Sequence, residues 1–203
     1  HTLVGIAFAR LTLFAAGVSE ARRSAAGAPR HPPASTSSHA LLLPGDSLAV
    51  GIGASSPANT LGGQLSEEFR GVGIECRAAV GARVRDLPAQ LALASRNRYQ
   101  AIVVCIGGND IVRATPLPAF RARLARALDL CARHSSCVIV TNCANLGGAP
   151  LFFWPWSRWL DNRSLQVRQM MDSLCREHRA RFVNFCLEPE RDIFRRDPER
   201  YFS

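Results

Sequence analysis

The 203-residue chain contains no lysine: every one of its 25 basic residues is an arginine. Against 16 acidic residues this leaves a net charge of +9, which raises the question of a nucleic-acid partner. Such partners are usually met by a mixture of Lys and Arg gathered along one groove or tail. Here the arginines are spread over segments that read as helices and loops, so no nucleic-acid partner is expected. The seven cysteines contain no C-x-x-C pair and no cysteine–histidine spacing suited to zinc. Their odd number also argues against a disulfide framework. Cys105 lies within an apolar run, and Cys131 and Cys175 lie on helix-like segments; all three read as small core residues. No metal is expected. A long uninterrupted apolar run is missing as well. The opening "TLVGIAFARLTLFAAGV" is broken by Arg10 and is short for a membrane span. It reads as the remnant of a signal or anchor, through which the chain would associate with a membrane, or as an amphipathic helix lying on the domain.

What is present is the alternation of an α/β domain. A hydrophobic share of 47% and a charged share of 20% are ordinary for a soluble globular protein, and 203 residues are enough for one core. Residues 19–39, "SEARRSAAGAPRHPPASTSSH", have no hydrophobic period and read as a linker. The expected organisation is therefore a leader and linker over residues 1–39 and one domain over residues 40–203, expected to be a monomer. Within the domain "ALLL", "GIECRAAV", "AIVVCIGG", "CVIVTN" and "RFVNF" read as five strands. Between them, "TLGGQLSEEFRG", "RDLPAQLALAS", "PLPAFRARLARALDLCAR" and residues 157–179 read as helices. Phe120, Leu124, Ala127, Leu128 and Cys131 share one helical stripe, as do Leu160, Ser164, Val167, Met171 and Leu174. This order implies right-handed crossovers, hence a three-layer α/β/α sandwich around a mostly parallel five-stranded sheet.

In such a sheet the chemistry gathers beyond the C-terminal ends of the strands. Three polar stretches fall there. Asp46-Ser47 follows the first strand, "VGAR" with Gly81 follows the second, and "GGND" (Gly107–Asp110) follows the third. A serine hydroxyl that attacks an ester needs donors aimed at the oxyanion that develops. The backbone N–H of Ser47, the backbone N–H of Gly81 and the side-chain amide of Asn109 are candidates. A glycine at 81 also lets the backbone approach a substrate closely. The alternative for the first stretch is that Asp46 or Ser47 merely caps a following helix. Asp46 is expected to shape its turn rather than act as a base. Asp110 is expected to cap its helix or steady its loop, and Arg113 to lie on the surface. "GGAPLFFWPWSRW", residues 147–159, reads equally well as a plug over the sheet edge and as the wall of an acyl pocket.

"PGDSLAVGIGAS", "AAVGARVRDL" and "VVCIGGNDIVR", in this order, resemble three sequence blocks of the SGNH hydrolases, also called GDSL esterases or lipases. The resemblance implies a flavodoxin-like fold and hydrolysis of a small-molecule or lipid-like ester or thioester, without cofactor. It implies Ser47 as nucleophile, Gly81 and Asn109 as oxyanion donors, and Asp46, Gly108 and Asp110 as supporting residues. The family's fourth block, D-x-x-H, supplies the general base and its orienting Asp. No D-x-x-H follows the fifth strand, and both residues are expected beyond Ser203; the 203 residues alone are then expected to be nearly inactive. Of the histidines present, His178 continues an apolar helical stripe, and His134 should fall at the opposite sheet edge. His1, His31 and His39 belong to the leader and linker. The alternative to an enzyme is a degenerate hydrolase that binds a small molecule or lipid without turning it over.

Overall fold

The computed structural model describes residues 37–143, 146–148 and 154–185. The apolar opening segment and most of the linker lie outside the described residues. Five strands, β1 (His39–Leu43), β2 (Val72–Cys76), β3 (Ala101–Cys105), β4 (Val138–Thr141) and β5 (Arg181–Val183), form one sheet in the order β2-β1-β3-β4-β5. Every neighbouring pair is parallel. The helices are α1 (Ser47–Val50), α2 (Leu61–Glu68), α3 (Leu87–Ala92), α4 (Gly108–Val112), α5 (Leu117–His134) and α6 (Trp156–Glu177). The α/β sandwich expected from the sequence is the fold.

Strand alternation divides the core. Ala40, Leu42, Ile102, Val104, Val138 and Val140 face the cluster built by α3, α5 and α6. Leu41, Leu43, Ile74, Val103 and Cys105 face the other way, against Ala49 of α1 and Leu61 and Leu65 of α2. The order of the strands explains the split. From β1 the chain crosses to β2 on one side, then passes back over β1 to β3 and continues outward. Right-handed crossovers in opposite directions place their helices on opposite faces. The reversal point lies between β1 and β3, and a parallel sheet opens a crevice there at its C-terminal edge.

The helical stripes pack as the periodicity requires. Phe120, Leu124, Ala127, Leu128 and Cys131 of α5 are all buried, as are Leu160, Val167, Met171 and Leu174 of α6. Burial pushes the thiols of Cys105 and Cys131 up to about 12 and that of Cys175 up to about 11, so all three stay protonated core groups. β2 ends at Cys76, short of the strand expected over residues 73–80. Arg77 N–H still donates to Leu43 O at 2.9 Å and Ala79 N–H to Gly45 O at 3.0 Å. The chain therefore follows the segment leaving β1 rather than ending as free loop.

Gly45 is the tightest point of the sheet's C-terminal edge. It bridges Cys105, and Asp46 N–H donates to Cys105 O at 2.9 Å. With φ at +149° a Cβ on Gly45 would sit 2.2 Å from Cys105 O, in the backbone of β3. Neither partner can step aside without breaking the sheet. Gly45→Ala is expected to lower the stability by roughly 2–4 kcal/mol, overpacking and backbone strain together. Denaturant unfolding of the two proteins checks this; an unchanged midpoint would contradict the close approach.

Candidate active site

Ser47 opens α1 directly after the β1 turn. Asp46 is the N-cap: its Oδ1 accepts from Leu48 N–H at 3.1 Å. The capping role anticipated for one of this pair thus falls to Asp46, leaving the Ser47 side chain half-buried and uncommitted among the described residues. Asp46 itself is 5% exposed. Burial pushes its carboxyl up to about 7, the Asp110 charge adds to the rise, and the Leu48 N–H opposes it. A carboxyl whose pKa is raised on folding is most favourable while protonated, below its unfolded value near 3.8, and loses stability as pH rises towards about 7. Asp46→Asn keeps an acceptor for Leu48 N–H and removes the titration. It is expected to be more stable than the parent by roughly 1–3 kcal/mol at pH 8, the advantage fading as pH falls to 4. Melting curves across that range check it; a gain independent of pH would contradict it.

Gly81 sits in the segment between β2 and α3 with φ at +77°, and open space surrounds the position its Cβ would occupy. Glycine adopts this left-handed backbone without strain, and without a Cβ its backbone can be approached closely. Neither the Ser47 N–H nor the Gly81 N–H meets a protein acceptor among the described residues.

Asn109 lies in the first turn of α4, one residue after Gly108. Its Nδ2 donates to Ala82 O at 3.1 Å. An amide nitrogen carries two hydrogens; one anchors the side chain beside Gly81 and the other remains. Asp110 is 1% exposed, and its Oδ2 accepts from Val84 N–H at 2.9 Å. Burial raises its pKa, against the pull of Val84 N–H and the Thr115 hydroxyl. The bond to Val84 ties it to the segment that carries Gly81. Asn109 and Asp110 together therefore lock the segment after β3 to the segment after β2. Gly108 lies against Asp46, whose Oδ2 would be 3.9 Å from a Cβ built there. Arg113 is exposed at the end of α4.

The structure thus brings Ser47, Gly81 and Asn109 to one edge. The histidines go elsewhere. His39 opens β1 and hydrogen-bonds Gln100, just before β3. His134 ends α5, its ring against Asn97 O at 3.2 Å. His178 follows α6, just before β5, and its Nδ1 pairs with Asp129 of α5 at 2.9 Å. All three lie at the N-terminal edge of the strands, with the length of the sheet between them and Ser47. His178 therefore does not serve Ser47; its place on the stripe is explained by the Asp129 pair.

Trp154, Trp156 and Trp159 are 76%, 59% and 40% exposed at the start of α6, on the same edge as Ser47. For these three the plug reading fails; residues 149–153 of that stretch lie outside the described residues.

Sequence reasoning missed Gln90. It is 6% exposed on α3, between the buried Leu87 and Leu91, and its side chain bonds Gly45. A lone amide on an apolar stripe was the available signal, since a buried polar group demands a partner.

The profile of the GDSL-like Lipase/Acylhydrolase family matches residues 44–203. Among solved structures, the chain is similar to an acetylxylan esterase from Geobacillus stearothermophilus at 21% identity and a TM-score of 0.52, covering 72% of this chain and 76% of that one. An extracellular lipase from Streptomyces rimosus matches at 18% identity and a TM-score of 0.53, covering 73% and 81%. A member of the lipolytic G-D-S-L family from Veillonella parvula matches at 16% identity and a TM-score of 0.57, covering 73% and 79%. At these identities the structures share the fold with this chain. No curated protein matches significantly.

Proposed function

The chain belongs to the GDSL-like lipase/acylhydrolase family, and from that premise we propose that it is a serine hydrolase that cleaves carboxylic esters or thioesters through an acyl-enzyme on Ser47. What supports this reading is that Ser47, with an uncommitted hydroxyl and N–H, opens α1 directly after β1, and that Asn109, with one Nδ2 hydrogen left over, is bonded to Ala82 O next to Gly81, whose N–H is also uncommitted among the described residues.

In the proposed cycle Ser47 Oγ attacks the acyl carbon and gives its proton to a general base. The carbonyl oxygen takes up the negative charge between the three donors. Collapse breaks the bond to the alcohol or thiol, which leaves with the proton from the base. Water then attacks the acyl-enzyme, giving its proton to the same base, and the acid is released with Ser47 restored. Asp46 shapes the turn and Asp110 holds the oxyanion loop; neither touches the reacting atoms. The base is a histidine outside the described residues, since His39, His134 and His178 lie at the other edge. Trp154, Trp156 and Trp159 offer apolar surface to the acyl group.

The test is turnover of short-chain p-nitrophenyl esters and a thioester by the full-length protein. Absence of all turnover, with the ester bound intact, would favour a binding module that has kept the pocket and lost the base. The absence of a histidine at the site edge among the described residues is what keeps that second reading in play.

A further inference from the structure

We propose that Gln90 is a positioning residue for the reaction, acting through Gly45 on the turn that carries Ser47; the proposal rests on the reading of Ser47 as the nucleophile. Gln90 Oε1 accepts from Gly45 N–H at 2.7 Å, and Gln90 Nε2 donates to Gly45 O at 2.9 Å. One side-chain amide thus satisfies both backbone groups of a single residue, pairing with it as a neighbouring strand would. The flipped amide would set donor against donor and acceptor against acceptor, so the geometry admits one orientation.

Gly45 is a junction. Its carbonyl also accepts from Ala79 N–H at 3.0 Å, two residues before Gly81. Its neighbours Pro44 and Asp46 bond the backbone of Cys105, the last residue of β3. Ser47 lies two residues on. The clamp therefore sets the relative place of the nucleophile turn, the Gly81 segment and the end of β3, which are the three pieces the proposed oxyanion site needs in register.

Packing alone does not call for a glutamine at this position. Leu87 and Leu91 already seat α3 in the core, at 1% and 3% exposure. An apolar side chain of similar length would fill the same space without a polar group to satisfy. What only the amide supplies is the paired donor and acceptor on Gly45.

The experiment compares Gln90→Met, Gln90→Glu and the parent, all full-length, with Ser47→Ala as control, on a p-nitrophenyl ester at 25 °C. Gln90→Met keeps the bulk and loses both bonds. Its kcat is expected to fall about tenfold to a hundredfold with KM little changed, the scale of a small misplacement of a reacting group. Gln90→Glu gives a readout that a purely structural role would not move. Ionised, the carboxylate accepts from Gly45 N–H but faces Gly45 O with no donor; protonated, it reproduces the amide's donor and acceptor. Burial favours the protonated form. The ratio of its kcat to that of the parent is therefore expected to rise as pH falls from 8 to 5. Asp46 and Asp110 are the buried carboxyls beside the same turn, and a charge at position 90 would shift Asp46 in the variant alone. The ratio is therefore also measured with Asp46→Asn in both proteins, where the rise towards low pH is expected to persist. Should Gln90→Met fail to fold, the pH dependence of Gln90→Glu stands as the test. Parental kcat in the Gln90 variants at every pH, with Ser47→Ala inactive, overturns the inference, even if their melting temperatures fall. Undiminished turnover by Ser47→Ala overturns instead the nucleophile reading beneath it.

Discussion

Ser47→Ala is expected to lower ester turnover by the full-length protein about ten-thousandfold or more, with little change in stability. The size follows from what the mutation leaves behind. The Gly81 and Asn109 donors and the binding surface remain, and such remnants keep a residual rate over water in serine hydrolases. The attacking atom is gone, and no other hydroxyl or thiol is placed by the same turn. Stability should hold because Asp46, not Ser47, caps α1. The Ser47 side chain makes no hydrogen bond among the described residues that its loss would break. Steady-state kinetics beside a melting curve check both halves. A mutant that unfolds would make the loss of activity uninformative; one that folds and turns over at the parental rate would remove Ser47 from the mechanism.

Asn109→Ala is expected to lower kcat roughly a hundredfold or more, the usual size for one oxyanion donor. The effect divides into two parts. On the proposed mechanism, one hydrogen of Nδ2 is lost to the developing oxyanion. The other is lost to Ala82 O, in a residue 6% exposed, which frees the segment that carries Gly81. An unsatisfied buried carbonyl costs about 1–3 kcal/mol, so some loss of stability accompanies the kinetic effect. The two are separable by temperature, since kcat measured well below the melting transition reports only the first and the displacement of Gly81. A rise in KM with unchanged kcat would make Asn109 a ground-state binder and contradict its role as an oxyanion donor.

The helices α5 and α6 were legible in the sequence because their burial follows one period. Phe120 to Cys131 and Leu160 to Leu174 fall on the stripes the sequence marks, and the packing layers cover them. The strands were legible as apolar runs, but not their ends. β2 ends at Cys76, although Arg77 N–H still bonds Leu43 of β1 and Ala79 N–H bonds Gly45 just beyond it. That pairing is long-range and leaves no periodic trace. The three candidate residues at the edge were found by sitting after strands, which a parallel sheet brings together whatever its order. Gln90 and the Asp110–Val84 bond were not found. Each joins residues 26 to 45 positions apart, and a buried polar side chain announces that it needs a partner without naming it. The sequence marks the helical position of His178 but not its Asp129 partner, 49 residues away.

The most direct test of the central claim is the site of a covalent adduct. The full-length protein is treated with a fluorophosphonate, digested, and the modified residue located by fragmentation, because the arginine-bounded peptide spanning 31–70 carries several other serines. A single adduct on Ser47, absent in Ser47→Ala and blocked by prior incubation with an ester substrate, is the predicted result. An adduct on any other residue, or ester hydrolysis that continues while Ser47 stays unmodified, would contradict it.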